Sequence, residues 1–130
     1  MIYQLELLAL NTQPTLPPYS KMPKIVRLTL LKITDDEAIQ EAVQKYSTLT
    51  QDAKRDGNPY VQMAAANPSH DDPRSQGYTL VARTVFECKE DMDFYDNECE
   101  AHKAIKAVLK PVVAAPPLVV YMDAQFEKVS

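Results

Sequence analysis

The sequence contains very few of the residues from which phosphate loops, metal sites and disulfide frameworks are built. Among its 130 residues there are 2 glycines, 2 cysteines and no tryptophan. Gly57 and Gly77 are too few and too far apart for a glycine-rich loop that binds phosphates or dinucleotides. Cys88 and Cys99 form no Cys-x-x-Cys pair, and no matching histidine set accompanies them. We therefore expect neither a kinase, a dehydrogenase nor a hydrolase, and we predict no metal and no cofactor.

Long apolar runs and an excess of positive charge are also missing. Residues 1–10 are apolar, but this run is about half of the ~20 residues that a membrane span needs, and no basic segment precedes it. The net charge of -4 offers no basic field to a phosphate backbone. We therefore expect no membrane and no nucleic acid among the partners. Two unpaired cysteines are typical of a reducing compartment, which predicts a cytoplasmic protein.

What the sequence does contain is the composition of one folded domain. The apolar share is 45% and the charged share 25%, close to globular averages. Residues 1–21 join the apolar opening to a stretch with Pro14, Pro17 and Pro18, so they predict an N-terminal arm and a linker. The domain is predicted to span residues 22–126, followed by a C-terminal tail at residues 127–130.

The first half of the domain alternates strand and helix patterns. Residues 24–33 are β-branched and apolar with polar residues interleaved, which predicts a strand. Thr34 and Glu37 have the spacing of a capping box, so a helix is expected to begin there. The helix buries a stripe of apolar residues at helical spacing. This stripe consists of Ala38, Ile39, Ala42, Val43, Tyr46 and Leu49.

The second half repeats the pattern after a break at residues 55–59. The predicted elements are a strand at 60–66, for which a helix is the alternative, an exposed loop at 67–77, a strand at 78–86, a helix broken between 89–95 and 101–109, and a last strand at 118–122. The order β-α-β-β-α-β is that of a ferredoxin-like α+β fold, with a four-stranded antiparallel sheet and helices on one face.

The first strand is apolar on both of its faces. Val26, Leu28 and Leu30 point one way, while Ile25, Leu31 and Ile33 point the other. Two helices cover only one face of such a sheet, so the other face needs a second cover. We expect a homodimer that buries this face symmetrically. The alternative is that residues 1–10 fold back over it.

Several motifs resemble the stress-responsive A/B barrel family. They are Gly77-Tyr-Thr-Leu80, the segment from Phe86 to Tyr95, Glu100-Ala-His102-Lys103 and Lys110-Pro111. Their usual forms in the family are Gly-Tyr-Thr-His, Phe-Glu-Ser, a tyrosine and Pro-Ala-His. The likeness covers about residues 24–126. It implies a dimeric α+β barrel, in which each subunit contributes a ferredoxin-like sheet.

The family includes plant stress proteins of unknown chemistry and a polyketide cyclase that forms an aromatic acid. In that cyclase a tyrosine and a histidine are the proposed catalytic pair, and the resemblance places them at Tyr95 and His102. A neutral His102 would remove a proton next to a carbonyl, while Tyr95 would hydrogen-bond the enolate oxygen. The alternative is structural: His102 binds a backbone carbonyl at the helix break.

A small-molecule pocket is expected beneath the helices. Arg27, Thr29 and Leu31 share one face of the first strand, and Tyr78 and Ala82 share a face of the third, so these residues are predicted to bind the substrate. An arginine there can hold a carboxylate or an enolic oxygen. Arg27 stands where the cyclase has a histidine.

Other candidate residues have ordinary structural explanations as well. Arg27 could pair with a helix acid such as Glu41, and Tyr46 has the spacing of a core residue. His70 lies in a proline-flanked loop, which indicates solvent rather than a metal. Cys99, three residues before His102, could serve as a thiol nucleophile. Two functions stay open: a cofactor-free lyase or cyclase, and a non-catalytic dimeric stress-response protein.

Overall fold

The computed structural model describes residues 23–125, so the predicted arm at 1–21 and tail at 127–130 lie outside the described residues. The alternative in which residues 1–10 cover the sheet lies outside them too. The elements are β1 (Ile25–Leu31), α1 (Asp36–Ser47), α2 (Leu49–Asp52), β2 (Lys54–Arg55), β3 (Asn58–Pro59), β4 (Val61–Pro68), a 3-10 turn (Pro73–Ser75), β5 (Leu80–Phe86), α3 (Lys89–Asn97), α4 (Glu100–Leu109) and β6 (Leu118–Asp123).

Four of the strands form one antiparallel sheet in the order β4-β5-β1-β6. Thr29 of β1 lies opposite Ala82 of β5 on one side and opposite Val119 of β6 on the other. This order and the β-α-β-β-α-β succession define a ferredoxin-like fold with the helices on one face, so the predicted fold class is confirmed. No helix within residues 23–125 combines the length and the apolar character that crossing a bilayer requires.

The first helix begins one residue later than the capping-box spacing predicts. Asp35, not Thr34, is the N-cap residue, and its carboxylate accepts a hydrogen bond from the backbone N–H of Glu37 at 3.1 Å. The sequence presents two adjacent residues that are able to cap. The carboxylate is favoured at this position because a full negative charge interacts better with the positive helix N-terminus than a hydroxyl does.

The break after α1 contains a small hairpin that the sequence analysis did not predict. Asp56 and Gly57 adopt φ angles of 53° and 80° between the two-residue strands β2 and β3. Positive φ at both central residues is the geometry of a tight hairpin turn, and Asp-Gly is a favoured pair for it. The strand expected at 60–66 is present as β4, so the helix alternative for this segment is wrong.

The helix-facing side of the sheet forms the core. Phe86 and Leu80 are fully buried there, and the helices contribute the apolar side chains that pack on them. Tyr60 and Tyr95 both lie against the ring of Phe86, at centroid distances of 6.3 and 5.1 Å. The chain's own helices therefore cover this side of the sheet at β4, β5 and β1, whereas Val119 and Tyr121 on the same side of β6 are 42% and 48% exposed.

The opposite side, called here the open face, carries every second residue of the same strands. The strand register places on it Val26, Leu28 and Leu30 of β1, Met63, Ala65 and Asn67 of β4, Val81, Arg83 and Val85 of β5, and Leu118, Val120 and Met122 of β6. Its residues on the edge strand β6, Leu118, Val120 and Met122, are 42–45% exposed. No helix among the described residues covers this face.

Candidate active site

The break between α3 and α4 brings Tyr95 and His102 together. Helix α3 ends at Asn97, and α4 begins at Glu100 after an extended Cys99. The His102 ring stacks on the Tyr95 ring with centroids 3.7 Å apart and planes 11° from parallel. His102 Nδ1 lies 2.9 Å from the backbone oxygen of Tyr95. The contact with a carbonyl that the structural interpretation expected is thus present.

This contact sets the protonation state of the His102 ring. A carbonyl oxygen only accepts, so Nδ1 carries the proton and donates it, which leaves the lone pair on Nε2. Burial lowers the pKa of His102 to about 4. The hydrogen bond to the Tyr95 carbonyl raises this pKa, whereas the positive charges of Arg27 and Lys106 lower it further. At neutral pH the ring is therefore uncharged, with one unprotonated nitrogen.

A cavity of about 390 Å³ lies between the sheet and the helices, beside His102. It sits over β1 and β6, because the helix-facing side of β5 is already filled by the core. Its polar lining residues are Arg27, Thr29, Tyr46, Asp96, His102, Lys106 and Lys110. Its apolar lining residues are Leu31, Ile105, Leu109, Val113, Pro117 and Val119.

The predicted substrate-binding residues divide into two groups. Arg27, Thr29 and Leu31 all line the cavity, as their common face on β1 led us to expect. Ala82 is 2% exposed and belongs to the core of β5, and it does not line the cavity. Tyr78 does not line it either, since β5 begins only at Leu80 and the Tyr78 ring lies 4.8 Å from Lys32 Nζ.

The two tyrosines near His102 have different positions. Tyr95 is 2% exposed and is not a lining residue, and its hydroxyl is buried next to that of Tyr46. Burial raises the pKa of Tyr95 well above its ordinary value. Tyr46 does line the cavity, and burial raises its pKa to about 12, so its hydroxyl stays protonated and able to donate. Tyr46 is itself only 3% exposed and belongs to the core, as its helical spacing predicted, and it borders the cavity from there.

Arg27 lies buried in the wall of the cavity. Its exposure is 6%, and its Nη1 forms an ion pair with Asp96 at the end of α3. The guanidinium carbon lies 5.4 Å from the centre of the Tyr95 ring. The expected pairing with a helix acid is present, but the acid is Asp96 of α3 and not Glu41, which is exposed on α1.

The remaining candidates stand apart from this arrangement. His70 is exposed in its loop, and no cluster of metal-binding side chains occurs within residues 23–125. Both cysteines are free thiols, and Cys99 is 1% exposed in the core and does not line the cavity. The chemistry available in the cavity is therefore that of a neutral imidazole, a phenol, an arginine, two lysines, a carboxylate and a hydroxyl.

The model of the family described as the stress responsive A/B barrel domain, or Dabb, matches residues 23–125 of this chain. The chain belongs to this family. A Dabb-domain relative in Gibberella zeae, described as a fusaristatin A biosynthesis cluster protein, is 33% identical over 102 residues, which cover 78% of this chain and 74% of the relative.

Solved structures share the fold of this Dabb chain. Hydroxynitrile lyase from Passiflora edulis superimposes with a TM-score of 0.64 at 10% identity, over 84% of this chain and all (100%) of that one. A dimeric ferredoxin-like protein of unknown function from Bacteroides fragilis has the same TM-score at 12% identity, over 78% of this chain and 96% of that one. At these identities the likeness establishes the fold.

Proposed function

We propose that this Dabb protein binds a polyketide-like or aromatic acid in the cavity and acts on it as a cofactor-free lyase or cyclase. The observation that carries the proposal is the state of His102. Its Nδ1 is held by the carbonyl of Tyr95, its pKa is lowered to about 4, and it lines a cavity of about 390 Å³. A general base must be unprotonated where it meets the substrate, and His102 meets this condition at neutral pH, although its low pKa makes it a weaker base than a free imidazole.

Each group of the site has one role in the proposed reaction. Nε2 of His102 takes a proton from a carbon next to a carbonyl, and the electron pair of the broken C–H bond becomes the enolate. The hydroxyl of Tyr46, which lines the cavity whereas Tyr95 does not, donates a hydrogen bond to the enolate oxygen. The enolate carbon then bonds to a second carbonyl carbon, whose oxygen receives the proton from His102. Tyr95 positions the His102 ring.

The size of the cavity and the relatives support a small substrate. Cavities of about 300–1,000 Å³ are typical of small-molecule sites, and mostly apolar linings with a few polar groups are usual there. The Gibberella zeae relative is described as a biosynthesis cluster protein, and the Passiflora edulis protein is described as a hydroxynitrile lyase. Both descriptions belong to those proteins, and here they favour small-molecule chemistry over a purely structural role.

We further propose that the protein is a homodimer in the cytoplasm. All four strands carry apolar side chains on the open face, and soluble chains rarely leave such a surface in water. A second copy of the same face would cover it symmetrically. The Bacteroides fragilis protein of the same fold is described as dimeric. Two free thiols, Cys88 and Cys99, fit a reducing compartment.

Turnover of a linear poly-β-keto thioester, followed by mass spectrometry of the aromatic product, tests the catalytic proposal. His102→Asn keeps a side-chain N–H for the Tyr95 carbonyl but removes the base, so kcat/KM is expected to fall by ~10²–10⁴. His70→Asn is the matched control, because it changes the exposed loop histidine, and it should retain full activity. Equal activity of the wild type and His102→Asn would exclude His102 as the base.

The non-catalytic stress-response protein is the second candidate, and one observation favours it. The contact between His102 and Tyr95 satisfies a carbonyl at a helix break, which is sufficient reason for a histidine at this position. Under this alternative the wild type binds aromatic acids without converting any keto substrate. His102→Asn would then change stability and leave binding intact.

A further inference from the structure

Arg27 is the one buried side chain among the described residues that carries a full charge at neutral pH. It is 6% exposed, and the other buried polar residues, Thr84 and the neutral His102, carry none. Removing a guanidinium from water is costly unless its hydrogen bonds are replaced. The hydrogen-bond partners of Arg27 therefore decide what this group can do.

Only part of the guanidinium is used by the protein. Nη1 donates to Asp96, and Nε donates to the Thr29 hydroxyl at the long distance of 3.4 Å. An arginine has five N–H donors, and within residues 23–125 no partner accepts from Nη2. Since Arg27 lines the cavity, the unused donors are available to a ligand there.

The charges around the cavity favour an anion. Three cationic side chains, Arg27, Lys106 and Lys110, line it together with one carboxylate, Asp96. The chain as a whole has a net charge of -4, so the cavity is a positive site on an acidic protein. A positive cleft with apolar walls concentrates anionic ligands.

Asp96 accepts a hydrogen bond from only one of the guanidinium nitrogens, Nη1. Its side chain is 37% exposed, whereas that of Arg27 is 8% exposed. Lys106 Nζ also donates to the backbone oxygen of Asp96 at 3.2 Å, which ties this residue to α4. A half-exposed carboxylate beside a buried arginine is a resident counter-ion, and it competes with any second carboxylate for the same positive charge.

We propose that the cavity takes its ligand as a carboxylate bound to the free edge of Arg27, and that Asp96 is a resident counter-ion that weakens this binding. The inference rests on one part of the proposed function, the binding of a small acid in the cavity. It does not depend on the proposed reaction. It makes Arg27 the residue that selects acids over neutral analogues. It also predicts that removing a charge from the binding site increases affinity.

A pair of ligands of the same shape tests the proposal: salicylate, which is an anion at pH 7, and salicylamide, which is neutral. Isothermal titration of the full chain should give an affinity for salicylate about tenfold or more above that for salicylamide. Arg27→Met should abolish this preference by weakening salicylate alone. Asp96→Asn should tighten salicylate by about three- to tenfold and leave salicylamide unchanged.

The chain offers a matched control pair at Arg74 and Asp72. These residues form an ion pair of the same type in the exposed loop, where the Arg74 side chain is 91% exposed. Arg74→Met and Asp72→Asn should leave both affinities at the wild-type values. If Arg27→Met fails to fold, Arg27→Lys and the gain in Asp96→Asn still decide the question, because a folding defect cannot increase affinity.

Three results would overturn the inference: no binding of either ligand at millimolar concentration, equal affinity for both, or weaker salicylate binding by Asp96→Asn. The same titrations on His102→Asn separate this proposal from the catalytic one. Retained preference for salicylate in that variant, together with absence of turnover in the wild type, would leave the anion site standing and refute the catalysis.

Discussion

Each side of the sheet carries one arginine, and the two arginines differ in what surrounds them. Arg27, on the helix-facing side, is buried and paired with Asp96 beside the cavity. Arg83, on the open face, is half-buried, and its Nη1 lies 3.6 Å from the sulfur of Met63. No acidic residue in the described part of the chain pairs with Arg83. Among the described residues, one charge is compensated and the other is not.

This difference indicates how the two sides of the sheet are completed. The helix-facing side has its core, its ion pair and its cavity within a single chain. The open face has an apolar surface and an uncompensated charge, and both would be stabilised only by something outside the described residues. A second copy of the chain supplies such a cover without any further component.

Two neighbouring residues of β6 provide the strongest test of whether the open face, and not the helix-facing side, forms the dimer interface. Val119 and Val120 are both 42% exposed, but Val119 points to the helix side and Val120 to the open face. Val120→Asp should raise the dimer Kd by at least about 10⁴-fold, because a symmetric interface would bury two carboxylates without partners. Val119→Asp should leave the dimer intact.

Analytical ultracentrifugation across a range of protein concentrations measures both variants. Circular dichroism checks that each still folds, which the exposure of both side chains in the single chain leads us to expect. A monomeric wild type at micromolar concentration would show that the open face is covered in another way, as by residues 1–10. If Val119→Asp dissociated the dimer and Val120→Asp did not, the interface would lie on the helix-facing side of the sheet and not on the open face.

A core substitution on the other side should act within one chain. Phe86 is fully buried against Tyr60 and Tyr95, so Phe86→Ala should lower the free energy of unfolding by about 3–5 kcal/mol. Urea denaturation of the Val120→Asp monomer with and without this change isolates the effect. A loss that disappears in the monomer would mean that Phe86 contributes through the dimer, contrary to the comparison.

The helix-facing side should also respond to acid through His102. Its pKa of about 4 in the folded state lies below the ordinary 6.5, so the unfolded chain binds the proton more tightly. The contribution of His102 is therefore complete above pH 6.5 and is lost as the pH falls towards 4, by about 3 kcal/mol in total. Denaturation midpoints between pH 7 and 4 measure the loss, and His102→Asn should lack this component. An identical pH profile in that variant would assign the acid sensitivity to the carboxylates.

Much of the fold could be predicted from the sequence, because alternation and helical spacing report directly on which side chains are buried. The strand at β5 and the break between α3 and α4 were both predicted in this way. The hairpin around Asp56 was missed, since strands of two residues have no alternation to detect. The N-cap residue is Asp35 and not the predicted Thr34. Both residues are able to cap a helix, and only the geometry of the turn decides between them.

The site was less predictable for a physical reason. The spacing of Tyr46 shows that its side of α1 is buried, but it does not show whether that side meets another side chain or a cavity. The partner of Arg27 depends on where the last turn of α3 lies, and Glu41 was the acid that the sequence suggested. Tyr78 follows the strand pattern, although pairing within β5 begins two residues later.

The smallest expected effect concerns the arginine of the open face and sharpens the contrast with Arg27. If two open faces pack together, the guanidinium of Arg83 loses water without gaining a carboxylate, which costs free energy in the dimer. Arg83→Leu should therefore tighten the dimer by about tenfold, and Arg83→Lys, which keeps the charge, should not. Fluorescence dilution series on a labelled chain resolve such a change in Kd. Weaker association of Arg83→Leu would instead mean that the partner subunit supplies an acceptor, which would make the two arginines alike.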